Sequence, residues 1–403
     1  MFSYEQARQC VIQNMQPGTA PRSIENINIW NALGRVLAQD IKADRDYPPF
    51  HRSTRDGYAV RAAEAPSGAT LRCVGEIKAG DSVSASLISG TCIQIMTGAA
   101  VPEGADAVVM IELTKRSGEV VTFERAAQAG QNIVPRASEA HASHVLLRRG
   151  TRLGYAELAV AAQVGAAQLS CAAKPRVAIL STGDEVVSLE SLPNAFQIRN
   201  SNSVSLAAQV TLAGGQPVIL ENAADRHDDL REKIAQGLQQ DLLLLSGGVS
   251  AGKYDFVEKV LQELGAEFYF DAVAIRPGKP TVFGKCKDKF IFGLPGNPVS
   301  TMVTFELFVA PALDILAGAA PRPLPLMEAR LTQTVKEKTG LAHFLPALAT
   351  WFSGSPEVTV LPWQGSGDIA ALAKANCFLV VGDDVGEISA GDRAPILLRK
   401  DVA

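Results

Sequence analysis

The sequence predicts a multidomain α/β protein: a central doubly wound α/β domain, preceded by helical and β-rich segments and followed by a separate C-terminal β domain. Three observations carry this. A chain of 403 residues exceeds one ordinary compact core. From Pro175 onward, continuous apolar runs alternate with amphipathic helical patterns, as in parallel strands covered on both faces. On either side of that region the apolar runs are short and separated by Gly, Pro and Ser turns.

In chain order, the first 44 residues read as two helices separated by Pro17-Gly18 and Pro21. Ser3 stands as N-cap of the first, and the second is expected to end near ALGRVLAQDI. From Asp46 the runs TLRCVGEI, GTCIQIM, DAVVMIEL and EVVTFE predict a small β-rich domain, after which GYAELAVAAQVG reads as a helix stopped at Gly165. The alternation then runs RVAILST, helix SVSLAAQVTLAGG, PVIL, helix DDLREKIAQGL, DLLLLSGG, helix DFVEKVLQELG. The parallel sheet is expected to end with TVFG and FIFGLPG, before the long apolar helix VSTMVTFELFVAPALDIL. Beyond the linker Pro321 to Pro325, EARLTQTV, EVTVLP, CFLVVG and APILLR are again short and β-like.

Composition excludes several classes. With 47% hydrophobic, 20% charged and 6% aromatic residues, the chain is neither disordered nor fibrous. A net charge of -4 gives no global basic field for nucleic acid, so an anionic ligand must be met by a local site. Cys10, Cys73, Cys92, Cys171, Cys286 and Cys377 lack metal-ligand or disulfide-framework spacing and read as buried free thiols. Glu5, Arg8 and Gln13 interrupt the N-terminus, so it is no signal peptide. No run is judged to reach the roughly 18 to 20 apolar residues that span a bilayer, and a cytoplasmic protein without membrane partners is expected.

Ligands of open α/β sheets bind at the carboxyl ends of the strands. Four loops are expected there: Ser181 to Glu185, Ser246 to Ser250, Arg276 to Pro280, and Leu294 to Pro298. Gly247 and Gly248 can expose backbone N–H groups to phosphate, although a Gly pair also makes an ordinary tight turn. Asn297 and Pro298 suit a helix start, which is either a plain cap or an anion site. Asp255 and Glu258 have capping-box spacing. Asp184 and Glu185 are adjacent acids suited to Mg²⁺, and Arg276 and Lys279 supply fixed charge for an oxyanion. None of His51, His141, His144, His227 and His343 has ligand or triad spacing; His141 and His144 could face each other on one helical turn, although an exposed polar face is the better reading.

The order of motifs resembles one family. PPFHRSTRDGYAV, IMTGAAVPEGADAVVMIE, ILSTGDEVV, IRNSNS, LLSGGVSAGKYDFV, IRPGKPTVFG, GLPGNPVS and QGSGD follow the molybdopterin molybdenumtransferases, the MoeA family and gephyrin E domain, over nearly the whole chain. The resemblance implies a homodimer with a C-terminal β-barrel and a molybdopterin-binding central domain. Its site would lie between that domain and the partner's RDGYA and MTG segments.

Domains are then expected at 1–45 with 141–174 (helical/linker), 46–140 (inserted β-rich), 175–319 (central α/β) and 320–403 (barrel). The implied activity inserts molybdate into adenylylated molybdopterin, releasing AMP, with Mg²⁺ as cofactor. Other cofactor-biosynthesis proteins and recipient molybdoenzymes are the implied partners. Competing readings are a molybdopterin adenylyltransferase and a non-catalytic molybdopterin-binding scaffold.

Carried over by position, Asp56, Glu185, Asp225 and Asp255 are the catalytic and metal candidates. Thr97, Thr182, Ser246, Gly247, Gly248, Ser250, Arg276, Lys279, Pro295, Gly296, Asn297, Pro298 and Ser366 are the substrate-binding candidates. Three positions depart from the family pattern: Glu139 stands for an aspartate, Ala272 for a lysine and Pro346 for an arginine, whose loss predicts weaker anion binding.

Overall fold

The computed structural model describes residues 1–16, 23–82, 86–248, 256–352 and 355–402. Ser250 and Asp255 lie outside them. Helix α1 (Tyr4–Met15) opens with the expected Ser3 cap, closed into a capping box by Gln6. The expected second helix is absent. Strand β1 (Ile24–Asn28) stands in its place, followed by a 3₁₀ turn that Asn28 caps.

The β-rich segment forms a six-stranded sheet from β2 (Gly57–Val60), β3 (Thr70–Ile77), β4 (Thr91–Ile95), β5 (Ala107–Met110), β6 (Thr114–Ser117) and β7 (Val120–Phe123). Helix α2 (Tyr155–Gln163) follows, with Gly165 beyond its end at φ +74°. Strand β8 (Gln168–Ala172) then pairs antiparallel with β1, which explains the correction: the 24–28 segment is drafted into a ladder by a partner 140 residues away.

The central sheet contains β9 (Arg176–Ser181), β10 (Gln216–Ile219), β11 (Leu242–Ser246), β12 (Ala266–Phe270), β14 (Val282–Cys286) and β15 (Lys289–Leu294), while the short β13 (Ile275–Arg276) between β12 and β14 belongs to the C-terminal sheet. Its order is β10-β9-β11-β15-β14-β12. The first four strands are parallel; β14 runs antiparallel to both its neighbours, β15 and β12, so the wholly parallel sheet expected from the sequence is corrected to a mixed one. Helices α3 (Ser201–Leu212), α4 (His227–Gly237) and α5 (Phe256–Glu263) cover it with α6 (Pro298–Leu316). Alternate residues supply the two faces. Val177, Ile179, Leu242 and Leu244 join the core of α1, α3 and α6, whereas Ala178, Leu180, Leu243 and Leu245 join that of α4 and α5.

Helix α6 is long and apolar enough to cross a membrane, with mean hydropathy 1.6, contrary to the sequence expectation that no run reaches that length. It is 83% buried inside the fold, as a core helix is. Its turn Phe305–Val309 is π-helical, just ahead of Pro311. Proline has no N–H for the Leu307 carbonyl, and Arg8 Nη1 donates to that carbonyl at 2.9 Å, fastening α1 to α6.

The C-terminal strands are β16 (Leu326–Leu331), β17 (Ala342–Phe352), β18 (Ser355–Val360), β19 (Cys377–Val381) and β20 (Arg393–Leu398), with α7 (Ile369–Lys374) between β18 and β19. Pairing runs β17-β18-β16-β20-β19 and returns from β19 to β17, closing the barrel. All six cysteines are free thiols and all but Cys10 are buried.

Candidate active site

In the central sheet the chain leaves β9 toward β10 on one side and returns to β11 on the other. That switch point opens a crevice at the carboxyl ends of β9 and β11. A cleft of about 800 Å³ lies there, lined by Thr182, Glu185, Asp225, Ser246, Gly247, Gly248 and Pro295 to Pro298. A second chamber of about 530 Å³ adjoins it, lined by Arg276, Lys279, Ser300 and Ser366 among others. Pro280, Pro295, Asn297 and Gly367 line both.

The Arg276 to Pro280 loop reaches this place by a route the sequence did not suggest, since the strand that leads into it belongs to the barrel sheet and not to the central one. Because β14 runs antiparallel to β15, the start of β14 lies beside the end of β15, with Val282 opposite Gly293. Ahead of it, β13 pairs with β17 of the barrel, Arg276 opposite His343. Arg276 and Lys279 are exposed and form no ion pair with a described residue. Gly278, at φ +117°, fits against α6, where a β-carbon would stand 2.6 Å from Thr304.

Glycine is also required at the β11 turn. Gly247 and Gly248 have φ of +94° and +63°, and a β-carbon on Gly248 would stand 2.9 Å from Thr182 Oγ1. The Thr182 hydroxyl is buried and has no hydrogen-bond partner among the described residues. Asn297 occupies the N-cap position of α6 with Pro298 after it, but its side chain makes no capping bond. The expected cap is thus only positional, and Asn297 lines both chambers instead. The Val299 N–H, an orphan of this helix end, is taken at 3.0 Å by the carbonyl of Ser366, which lays the 364–368 segment over the site.

The acids divide their work. Asp184 accepts the Asp225 N–H at 3.1 Å, whereas Glu185 and Asp225 line the cleft. Burial, then the charges of Asp184 and Glu185, push the Asp225 carboxyl above its ordinary range. Such an excess of negative charge favours a cation. Among the described residues no group of three or more His, Cys, Asp or Glu side chains is arranged to hold a metal. Mg²⁺, however, commonly takes one or two carboxylates together with water and substrate phosphate. The donor set of Glu185 and Asp225 fits that requirement.

Asp56 and Thr97 line neither chamber. They bond each other: Thr97 donates its N–H at 2.6 Å and its hydroxyl at 2.8 Å to Asp56 Oδ1, holding that carboxyl below its usual range. Of the three departures, Glu139 pairs with Arg52 at 3.2 Å. Ala272 and Pro346 line neither chamber, and Pro346 is buried in β17. The expected loss of an anion contact at Pro346 is therefore corrected: the position does not face the cleft. His141 and His144 do sit edge to face, with ring centroids 5.2 Å apart, but in a turn and not a helix.

One wall of the cleft comes from the segment IRNSNS, whose individual site residues the sequence pattern does not single out. Asn200 Nδ2 donates to Ser203 Oγ at 2.7 Å and Asn222 Oδ1 at 2.6 Å, and the Ser181 hydroxyl donates to Asn200 Oδ1 at 3.1 Å. Beside this network, Asn202 Nδ2 bonds Ser246 Oγ at 2.8 Å and the Gly296 carbonyl at 2.7 Å.

Residues 2–165 match the family described as MoeA N-terminal region (domain I and II), residues 178–315 that of the probable molybdopterin binding domain, and residues 328–398 that of the MoeA C-terminal region (domain IV). The molybdopterin molybdenumtransferase of Haemophilus influenzae is 33% identical over 400 residues, covering 98% of each chain. That of Bacillus subtilis is 35% identical over 388 residues, covering 94% of this chain and 90% of its own. The crystal structure of the molybdopterin biosynthesis protein moeA from Pyrococcus horikoshii superposes with a TM-score of 0.83 at 27% identity, covering 99% of this chain and 100% of that one.

Proposed function

From its membership of the molybdopterin molybdenumtransferase family, to which this chain belongs, we infer that it is a transferase of molybdenum cofactor biosynthesis. We further propose that it inserts molybdate into adenylylated molybdopterin and releases AMP. One observation carries the finer reading: an acid-lined chamber and a cation-lined chamber share the wall Pro280, Pro295, Asn297 and Gly367.

Both reactants are anions, so the protein must overcome their repulsion before chemistry can occur. Arg276 and Lys279 offer permanent positive charge to molybdate or phosphate. Gly247 and Gly248 let backbone approach the anion closely. Glu185 and Asp225 would hold Mg²⁺, which when bound neutralises the phosphoanhydride. The Asp184 bond to the Asp225 N–H fixes the loop that presents Asp225.

We extend the proposal to a homodimer in which Asp56 and Thr97 of one subunit complete the cleft of the other. Their absence from both chambers of their own chain supports this. The match of residues 2–165 and 328–398 to the MoeA N-terminal and C-terminal regions favours this reading over an adenylyltransferase built on the central domain alone. AMP release from adenylylated molybdopterin by the purified protein should depend on molybdate. In Arg276→Ala with Lys279→Ala, half-saturating molybdate should rise by about tenfold or more. Molybdate-independent release, or an unchanged requirement in the double variant, would overturn the reading.

A further inference from the structure

Two buried side-chain oxygens, Thr182 Oγ1 and Asn202 Oδ1, have no hydrogen-bond partner among the described residues, and both belong to residues lining the acid-side cleft. Leaving a buried polar atom unpaired is costly, so such atoms in a cleft wall mark where a ligand supplies the missing partner.

The Asn202 amide cannot be turned over to relieve this. Its bond to the Gly296 carbonyl is to an atom that only accepts, so nitrogen must point there, and the second amide hydrogen serves Ser246 Oγ. The oxygen is thereby held as a buried acceptor at the Ser246 to Gly248 turn. Thr182, 4% exposed, stands on the other side of that turn with a hydroxyl free to donate or accept. Molybdate and the phosphoanhydride offer only acceptors, so neither satisfies Asn202 Oδ1. A heterocycle with N–H groups beside a ring carbonyl does, and a pterin carries such an edge in its 2-amino-4-oxo ring.

We propose that Asn202 Oδ1, with the Thr182 hydroxyl, recognises the N–H edge of the pterin and makes Asn202 the specificity residue for that end of the substrate. This rests on the molybdopterin reading above, and it adds to that reading which wall reads the pterin. The two residues fall within the 178–315 segment that matches a molybdopterin-binding family. Adenine also bears an N–H edge, and Mg²⁺-bound water is a donor as well; the test separates these sources.

Inhibition constants for free molybdopterin and for AMP are to be measured separately, with and without Mg²⁺, on wild-type protein and on Asn202→Leu, which keeps the volume and removes the acceptor. Molybdopterin binding should weaken by about tenfold or more, at either Mg²⁺ level, while AMP binding stays within about twofold. Equal weakening of both ligands would mean that Asn202 only positions the Ser246 and Gly296 loops. Selective loss of AMP would assign the oxygen to adenine, loss confined to Mg²⁺ would assign it to metal-bound water, and no loss of either ligand would remove Asn202 from recognition; each outcome overturns the proposal. Should Asn202→Leu fail to fold, a crystal structure of the wild-type protein with molybdopterin decides the matter. A pterin nitrogen within about 3 Å of Oδ1 supports the proposal, and a pterin bound elsewhere refutes it. Molybdate-dependent AMP release by the wild type tests the underlying reading independently.

Discussion

Asp314 on α6, 1% exposed, accepts a hydrogen bond from Arg152 Nη2 at 2.7 Å, and Arg322 donates to the same carboxylate from its Nε at 3.0 Å. The pair binds three distant stretches of chain: the residues just before α2, the core helix, and the linker into the barrel. Burial pulls the Arg152 guanidinium below its ordinary range, and the Asp314 carboxylate offsets the cost of burying that charge. Asp314→Ala should lower stability by about 3 kcal/mol or more, seen as a drop in the thermal unfolding midpoint. A variant that melts with the wild type would show that water replaces the carboxylate there.

Asp225 gives a pH-dependent test. Its folded-state pKa is raised, so from the ordinary Asp value near about 4 upward the folded chain holds more proton than the unfolded one. Stability therefore falls as pH rises through that window and stays reduced above it. Asp225→Asn does not titrate and should melt no lower than the wild type at neutral pH in EDTA, while losing AMP release. Added Mg²⁺ should raise the melting temperature of the wild type only. A variant stabilised equally by Mg²⁺ would take Asp225 out of the metal site.

A dimer with a shared cleft predicts complementation. Asp56→Ala and Glu185→Ala should each be inactive alone, yet mixed dimers rebuild one intact cleft in two. Random mixing should restore about a quarter of wild-type activity. No restoration, in mixtures proven to exchange subunits, would place Asp56 and Glu185 in one chain's site or in separate roles.

Pro346→Arg should destabilise the protein and leave its molybdate requirement unimproved, because the side chain enters a buried layer of β17 and not the cleft. Burying an unpaired guanidinium is costly, so a midpoint several degrees lower is expected. Tighter molybdate dependence in a well-folded variant would contradict this.

Pro346 also illustrates what the sequence conceals. Proline argues against a central strand, yet β17 is the longest strand of the barrel. Pairing with β18 begins only at Ala347, so the missing N–H falls where one partner strand has not yet joined. The run Leu242 to Leu245 was legible because four consecutive apolar residues must be covered on both faces. Residues 24–28 were not, since their ladder partner is set by tertiary pairing with Gln168–Ala172. Within the site, the glycines and cations were readable from type and spacing. The Asn202 amide was not, because its orientation is dictated by a serine and a carbonyl from two other loops.

Strand β13 precedes β14 in the chain but takes its β partner from Ala342 and His343 of the barrel. During ribosomal synthesis, the stretch carrying Arg276 and Lys279 waits for some 70 further residues before its ladder can form. The acidic wall can assemble earlier, from β9, β10, β11 and the segments that follow β9 and β10. Anion capture is thus the last competence the nascent polypeptide acquires, and a product ending at the linker would carry the acids without a seated pair of cations to oppose them.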